Sequence, residues 1–205
     1  VIFAASSGGQ SIPAGTFKTL TLSNTSGTQT AVGALSVSTA LNTTSGGTLD
    51  MSTFQLSGAF TPANNGTITT ANTTNPAIPA SKDWSGTTGT VIFAASSGGQ
   101  SIPAGTFKNL IFSNAGTKAF TGNASTTGAF NINSGSGVVT APALLTIEGS
   151  YTNDGDFDNN NGIVYFSGTP TLSGQMTGAD DDFNNVEFLE AGTKTLSGNA
   201  STSAL

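Results

Sequence analysis

The chain has 205 residues, of which 36% are hydrophobic and only 8% charged, with a formal charge of −6 and a pI near 4.1. It contains no histidine, cysteine or arginine and only five lysines, which removes the usual general bases, thiol nucleophiles, soft metal ligands and bidentate anion clamps. Such a chain is not expected to be an enzyme, to neutralise the phosphates of a nucleic acid or, lacking any run of about 18 apolar residues, to insert into a bilayer.

What the chain does contain is arranged for strands. Residues 1–18 read VIFAASSGGQSIPAGTFK, with Gly8-Gly9 as turn chemistry that supplies positive φ at little cost. In the following FKTLTLSN, Leu20 and Leu22 alternate with Thr19 and Thr21, the period of a half-buried strand. Short runs of the same kind start at Leu35 (LSVS), Leu49 (LDM) and Phe54 (FQL), with Gly46-Gly47 and Asn65-Gly66 as punctuation. At 91–108 the first eighteen residues return without a change, and Leu20, Ser23 and Asn24 recur as Leu110, Ser113 and Asn114. Later strands are expected at Phe130 (FNI), Leu145 (LTI) and Val186 (VEF), with turns at Gly98-Gly99 and Asn161-Gly162. Residues 115–126, AGTKAFTGNAST, return at 191–202 as AGTKTLSGNAST, and Phe107, Asn109 and Phe112 return as Phe183, Asn185 and Phe188. Trp84 and Phe157 each stand seven residues before a valine that opens a strand, Val91 and Val164.

These patterns predict an all-β fold: a right-handed parallel β-helix or solenoid of short coils, with tandem β-sandwich domains as the alternative. Short strands, few aromatics per unit and units that differ in length by almost one coil favour the solenoid, because stacking absorbs an extra coil by extension. The repeat units are 1–90, 91–163 and the opening of a third at 164–205, expected as one continuous solenoid. Val1 is neither a Met nor part of a leader, so the chain reads as a processed or excised segment.

The phrases GTVIFAASSGGQSIPAGTFKNLIFSNAGTK, GNASTTGAFNINSG and YTNDGDFDNNNGIVYFSG resemble the coils of very large repeat proteins on the surface of Bacteroidetes and related bacteria. In outline they are similar to filamentous-haemagglutinin-type adhesins. The resemblance implies a secreted or cell-surface filament, and its motifs mark coil geometry with no active site to carry over.

Residue chemistry singles out a few candidate sites. Asp154, Asp156 and Asp158 alternate in NDGDFDN and are candidate Ca²⁺ ligands, the one cofactor the sequence suggests. The segment is not an EF-hand loop, because position 159 is Asn and position 165 is Tyr; a solvated acidic turn is the plainer reading. Asp180, Asp181 and Asp182 read as hydrated edge charge. Thr-x-Thr pairs at 19/21, 28/30, 67/69 and 193/195 read as solvent-facing strand residues, since 109/111 carries Asn and Ile and no pair per coil is evident. Asn24, Asn114, Asn123, Asn185 and Asn199 are candidates for an internal ladder. Lys18, Lys108, Lys118 and Lys194 have few carboxylates nearby, which argues against Lys–Asn cross-links. Trp84 and Tyr165 align with apolar positions of other units and are expected in the core. The resulting expectation is a non-catalytic subunit or segment of an extracellular surface filament that associates with identical subunits or adjacent repeats. The alternative is an adhesin stalk or binding module that recognises a glycan or another surface.

Overall fold

A computed structural model describes residues 1–5, 8–178 and 181–203. Among the described residues it is all-β without a helix, and its parallel strands stack in about nine turns, the arrangement of a β-solenoid. Every strand pairing among the described residues is parallel, which disposes of the tandem-sandwich alternative, whose sheets are antiparallel.

Each coil has three faces. The first is a ten-stranded sheet from Gln10–Ile12 to Thr195–Leu196, running through all three repeat units. Its inward column is read directly from the register: Gln10, Gln29, Leu49, Ile68, Val91, Leu110, Phe130, Tyr151, Leu172, Leu196. The second face carries residues 15–17, 35–37 and Leu56–Ser57, then Gly99–Ile102, Thr117–Phe120, Val139–Thr140 and Phe157–Asp158. The third carries Ile2–Phe3, 19–22, 40–43 and Thr61–Asn64, then Lys82–Trp84 through to Asn185–Phe188. Early coils turn from the second to the third face inside one strand, and the register slips between Phe17 and Thr19 at that corner.

The predicted repeats and these faces do not keep step. Four coils carry the first face from Gln10 to Val91, nine residues short of the 90-residue repeat. The identical segments therefore lie one face apart. Gln10–Ile12 shares its sheet with Thr90–Phe93, whereas the second copy of QSI sits in the sheet of Gly99–Ile102.

Packing follows the alternation. Leu20, Leu22, Leu35, Val37, Leu41, Leu49 and Ile68 make an aliphatic lower core. Above it the core is aromatic: Phe93 meets Phe112 at 6.1 Å, Phe112 meets Phe130 at 5.3 Å, and Phe130 meets Tyr151 at 5.7 Å. Such ring pairs add about 0.5–1.5 kcal/mol each beyond area burial. Trp84 is fully buried as expected, but Tyr165 points outward beside Thr146 and Glu187; the buried tyrosine is Tyr151. The FQL run is mostly turn, since only Leu56 enters a strand and Phe54 is exposed. The first glycine of each Gly-Gly pair takes positive φ, as at Gly46, where a Cβ would also lie 2.2 Å from the Thr25 carbonyl oxygen of the coil below.

Candidate functional site: corner caps, a threonine face and two open ends

Corners are where a solenoid must satisfy backbone groups that its ladders leave over. Long polar side chains that turn inward at the start of a strand do this here. The Ala95 amide donates to Gln100 Oε1 at 2.7 Å, and Gln100 Nε2 donates to the carbonyls of Thr70 and Asn72 at 3.0 and 3.1 Å. The same five-residue reach joins the Ala5 amide to Gln10 at 3.0 Å. Lys118, directly above Gln100 in the register, donates to the carbonyls of Ser113 (2.7 Å), Asn114 and Gly116 (2.6 Å). Lys194 repeats this set on the carbonyls of Leu189 (2.7 Å), Glu190 (2.8 Å) and Gly192 (3.5 Å). Asn114 and Glu190 both take positive φ, near 64° and 62°, which turns the carbonyls toward the ammonium. The repeated AGTK, with the two residues before it, is thus a carbonyl cage for its own lysine. Burial pushes the Lys118 ammonium down to about 8, while hydrogen bonds from its N–H groups to the three carbonyls favour its charged form.

The acidic residues also serve corners. Asp154 and Asp158 are exposed on either side of the turn, with buried Phe157 between Asp156 and Asp158. Asp158 Oδ1 accepts from the Asn160 amide at 2.9 Å. Asp181 belongs to the coil above and accepts from Asn153 Nδ2 at 2.9 Å and from the Phe157 amide at 3.1 Å. Asp182 accepts from Asn159 Nδ2 at 2.9 Å, and Asp180 lies outside the described residues. Among the described residues no three His, Cys, Asp or Glu side chains gather as a metal would require. Asp83 caps a turn through the amide and hydroxyl of Ser85, which hold its carboxyl below the usual carboxylate range. Burial, and secondly the Asp181 carboxylate, push the Tyr151 phenol above its usual range.

An asparagine ladder does not form from the predicted set. Asn24 is buried, but Asn114, Asn123 and Asn199 are exposed. Buried asparagines occur instead at separate corners, as at Asn64, Asn72 and Asn153.

Threonines align better than their spacing in the chain suggests. On the outer side of the first face, Thr28, Thr48, Thr67 and Thr90 stand in register over four successive coils, followed by Asn109. The neighbouring outer column reads Ser11, Thr30, Asp50, Thr69, Ile92. Unequal coil lengths of 19 to 23 residues in this region conceal the column from a fixed-period search.

On the third face an open groove of about 350 Å³ is lined by small residues, among them Thr106, Asn123, Ser125 and Thr146. Ser125 Oγ donates to Thr106 Oγ1 at 3.1 Å, and Tyr165 follows Thr146 in the same outer column. No protein-family model matches this chain, and no curated protein or solved structure matches it. The site must therefore be read from its own geometry.

That geometry is most unusual at the ends. Val91 is 1% exposed and Phe93 fully buried, whereas Val1, the same residue of the first copy, is 65% exposed and Phe3 only partly buried. At the opposite end Phe188 and Leu196 are 52% and 47% exposed. They border an apolar cleft of about 270 Å³ with Leu172, Phe183, Val186 and Ala200.

Proposed function

We propose that the chain is a non-catalytic structural element of an extracellular or cell-surface filament, in which solenoids join end to end. One observation carries this reading: parallel strands stack coil on coil in about nine turns, and residues 1–18 recur unchanged at 91–108 as further coils of the same column, so the element lengthens by repetition. Neighbouring coils bury each other's apolar residues, as Thr67–Thr70 and Asn109–Phe112 do for Val91 and Phe93, so each added coil stabilises the column. The residue set supports the same view. It has no histidine, cysteine or arginine, and the carboxylates of Asp83, Asp158, Asp181 and Asp182 are engaged in capping turns and corners. Negative-stain electron microscopy of the purified chain tests the proposal. Uniform unbranched filaments whose width matches one solenoid are expected; monodisperse particles over a wide concentration range would count against it.

A second reading, an adhesive module that recognises a glycan, is favoured by the hydroxyl-lined groove of the third face with Tyr165 at its side. A sugar ring stacked on Tyr165 would have Thr146 and Ser125 as hydrogen-bond partners. Binding to an immobilised polysaccharide panel that Tyr165→Ala abolishes would establish it, and binding unchanged by that substitution would remove it.

A further inference from the structure

The outward residues of the third face form one unbroken register: Asp83, Thr106, Ser125, Thr146, Tyr165 and Glu187, one from each successive coil. Two residues earlier on their strands, Leu144 and Ile163 face each other in register and are half-buried beside this column. Lower down, Ala104 and Gly105 supply little side chain, which opens the groove of about 350 Å³. The face is therefore apolar around Tyr165 and lined with hydroxyls below it. These residues look sideways into solvent, so the groove is complete whatever coils stand above or below the stack.

The hydroxyls are free to bind. Ser125 gives its proton to Thr106 Oγ1 at 3.1 Å, which leaves the Ser125 oxygen to accept and the Thr106 proton to donate outward. Among the described residues the hydroxyls of Thr146 and Tyr165 are engaged by no hydrogen bond. Neither outer column holds a lysine, and the first begins and ends on carboxylates, Asp83 and Glu187, in a chain of formal charge −6. An acidic ligand would meet like charge along the groove.

Stacked strands repeat about every 4.8 Å, close to the advance of one ring in an extended, equatorially linked pyranose chain. Each ring has apolar C–H faces and a rim of hydroxyls, which suits a column offering an aromatic platform at one level and donors and acceptors at the next. Resting on the glycan reading of this groove, we infer that its ligand is a neutral, equatorially linked polysaccharide lying parallel to the solenoid axis. One ring sits at each level of Tyr165, Thr146, Ser125 and Thr106, which together span three strand spacings, roughly 14 Å. The ring at the Tyr165 level stacks on the phenol beside Ile163, and the other three exchange hydrogen bonds with the hydroxyls. An axial linkage would turn the chain away from the axis and lose this register.

Calorimetric titration of the chain with β-1,4-linked oligomers of glucose, mannose and N-acetylglucosamine, from disaccharide to hexasaccharide, tests the inference. For at least one of these sugars, affinity is expected to climb with each ring to the tetrasaccharide and to level off beyond it. Tyr165→Ala, an outward substitution whose folding circular dichroism checks, should weaken the tetrasaccharide about tenfold. Thr106→Ala, at the far end of the column, should weaken the tetrasaccharide about threefold and leave the disaccharide unchanged. Oligomers of β-1,4-linked mannuronate, the acidic counterpart, should bind about tenfold more weakly than the neutral ones. Mannuronate bound as tightly overturns the neutral class. A monosaccharide bound as tightly as the tetrasaccharide, or α-1,4-linked glucose oligomers bound with the same length dependence, overturn the axial register while leaving the glycan reading standing. Binding of none of these sugars overturns both.

Discussion

Residues 1–18 and 91–108 are the same sequence in two structural situations. In the second copy the strand 91–93 is sandwiched between Thr67–Thr70 and Asn109–Phe112, and Phe93 is fully buried. In the first copy the equivalent strand has a neighbour on one side only, and Val1 and Ile2 are 65% and 68% exposed. The copies also occupy different faces, because the 90-residue repeat exceeds four coils by one face. The difference teaches that these eighteen residues encode a strand–corner–strand unit indifferent to which face it builds. Burial depends on how many coils stand on either side.

The largest expected contrast is at the phenylalanines. Phe93→Ala should cost about 3–5 kcal/mol, the range for a fully buried ring, and Phe3→Ala about 1 kcal/mol in the dispersed chain. Guanidinium unfolding followed by circular dichroism reads both. Equal losses would mean that the first copy is covered in solution and would erase the contrast.

The two corner glutamines come next. Gln100→Ala strands the Ala95 amide and the carbonyls of Thr70 and Asn72 in the interior and should cost about 2–3 kcal/mol. Among the described residues Gln10→Ala releases the Ala5 amide alone, at a half-buried position, and should cost about 0.5–1 kcal/mol. Hydrogen exchange at Ala95 and Ala5 should accelerate in the same order.

A second repeated pair sharpens the comparison through pH. Lys118 is fully buried in its cage, whereas the Lys194 cage is partly open. Because the folded Lys118 ammonium is lowered to about 8 while an unfolded lysine stays near 10.5, the unfolded chain binds more protons between these values. This group's contribution to stability therefore rises with pH through about 8 toward 10.5 and is flat below that window. Lys118→Met should remove that slope from pH-dependent unfolding, and Lys194→Met should leave it in place. A Lys118 side chain that titrates at 10.5 by NMR would contradict burial as the force that lowers it.

The smallest effect is expected from calcium. Asp154, Asp156 and Asp158 straddle a corner with Phe157 turned inward between the last two, so a calcium chelator should leave the melting temperature unchanged. A drop on chelation, restored by Ca²⁺, would make these aspartates ligands after all.

The all-β class, the solenoid and most inward positions were legible in the amino-acid pattern alone. Period-two alternation at Leu20/Leu22, Leu49 and Phe130 reports burial on one side of a strand whatever that strand pairs with. The same pattern exposed the AGTK repeat, though not its use, since a lysine in a run of small residues gives no sign of being encircled by the carbonyls of residues five, four and two positions before it. Which residues become neighbours across coils was settled in three dimensions. Alignment of Thr28, Thr48, Thr67 and Thr90, the outward turn of Tyr165, the burial of Tyr151 and the one-face offset of the two copies all depend on coil lengths that vary from 18 to 24 residues. A coil's length is set by its corners, where capping side chains and glycines absorb an extra residue without disturbing the strands. Local pattern therefore specifies the strand, and only the summed geometry of the corners specifies what lies above and below it.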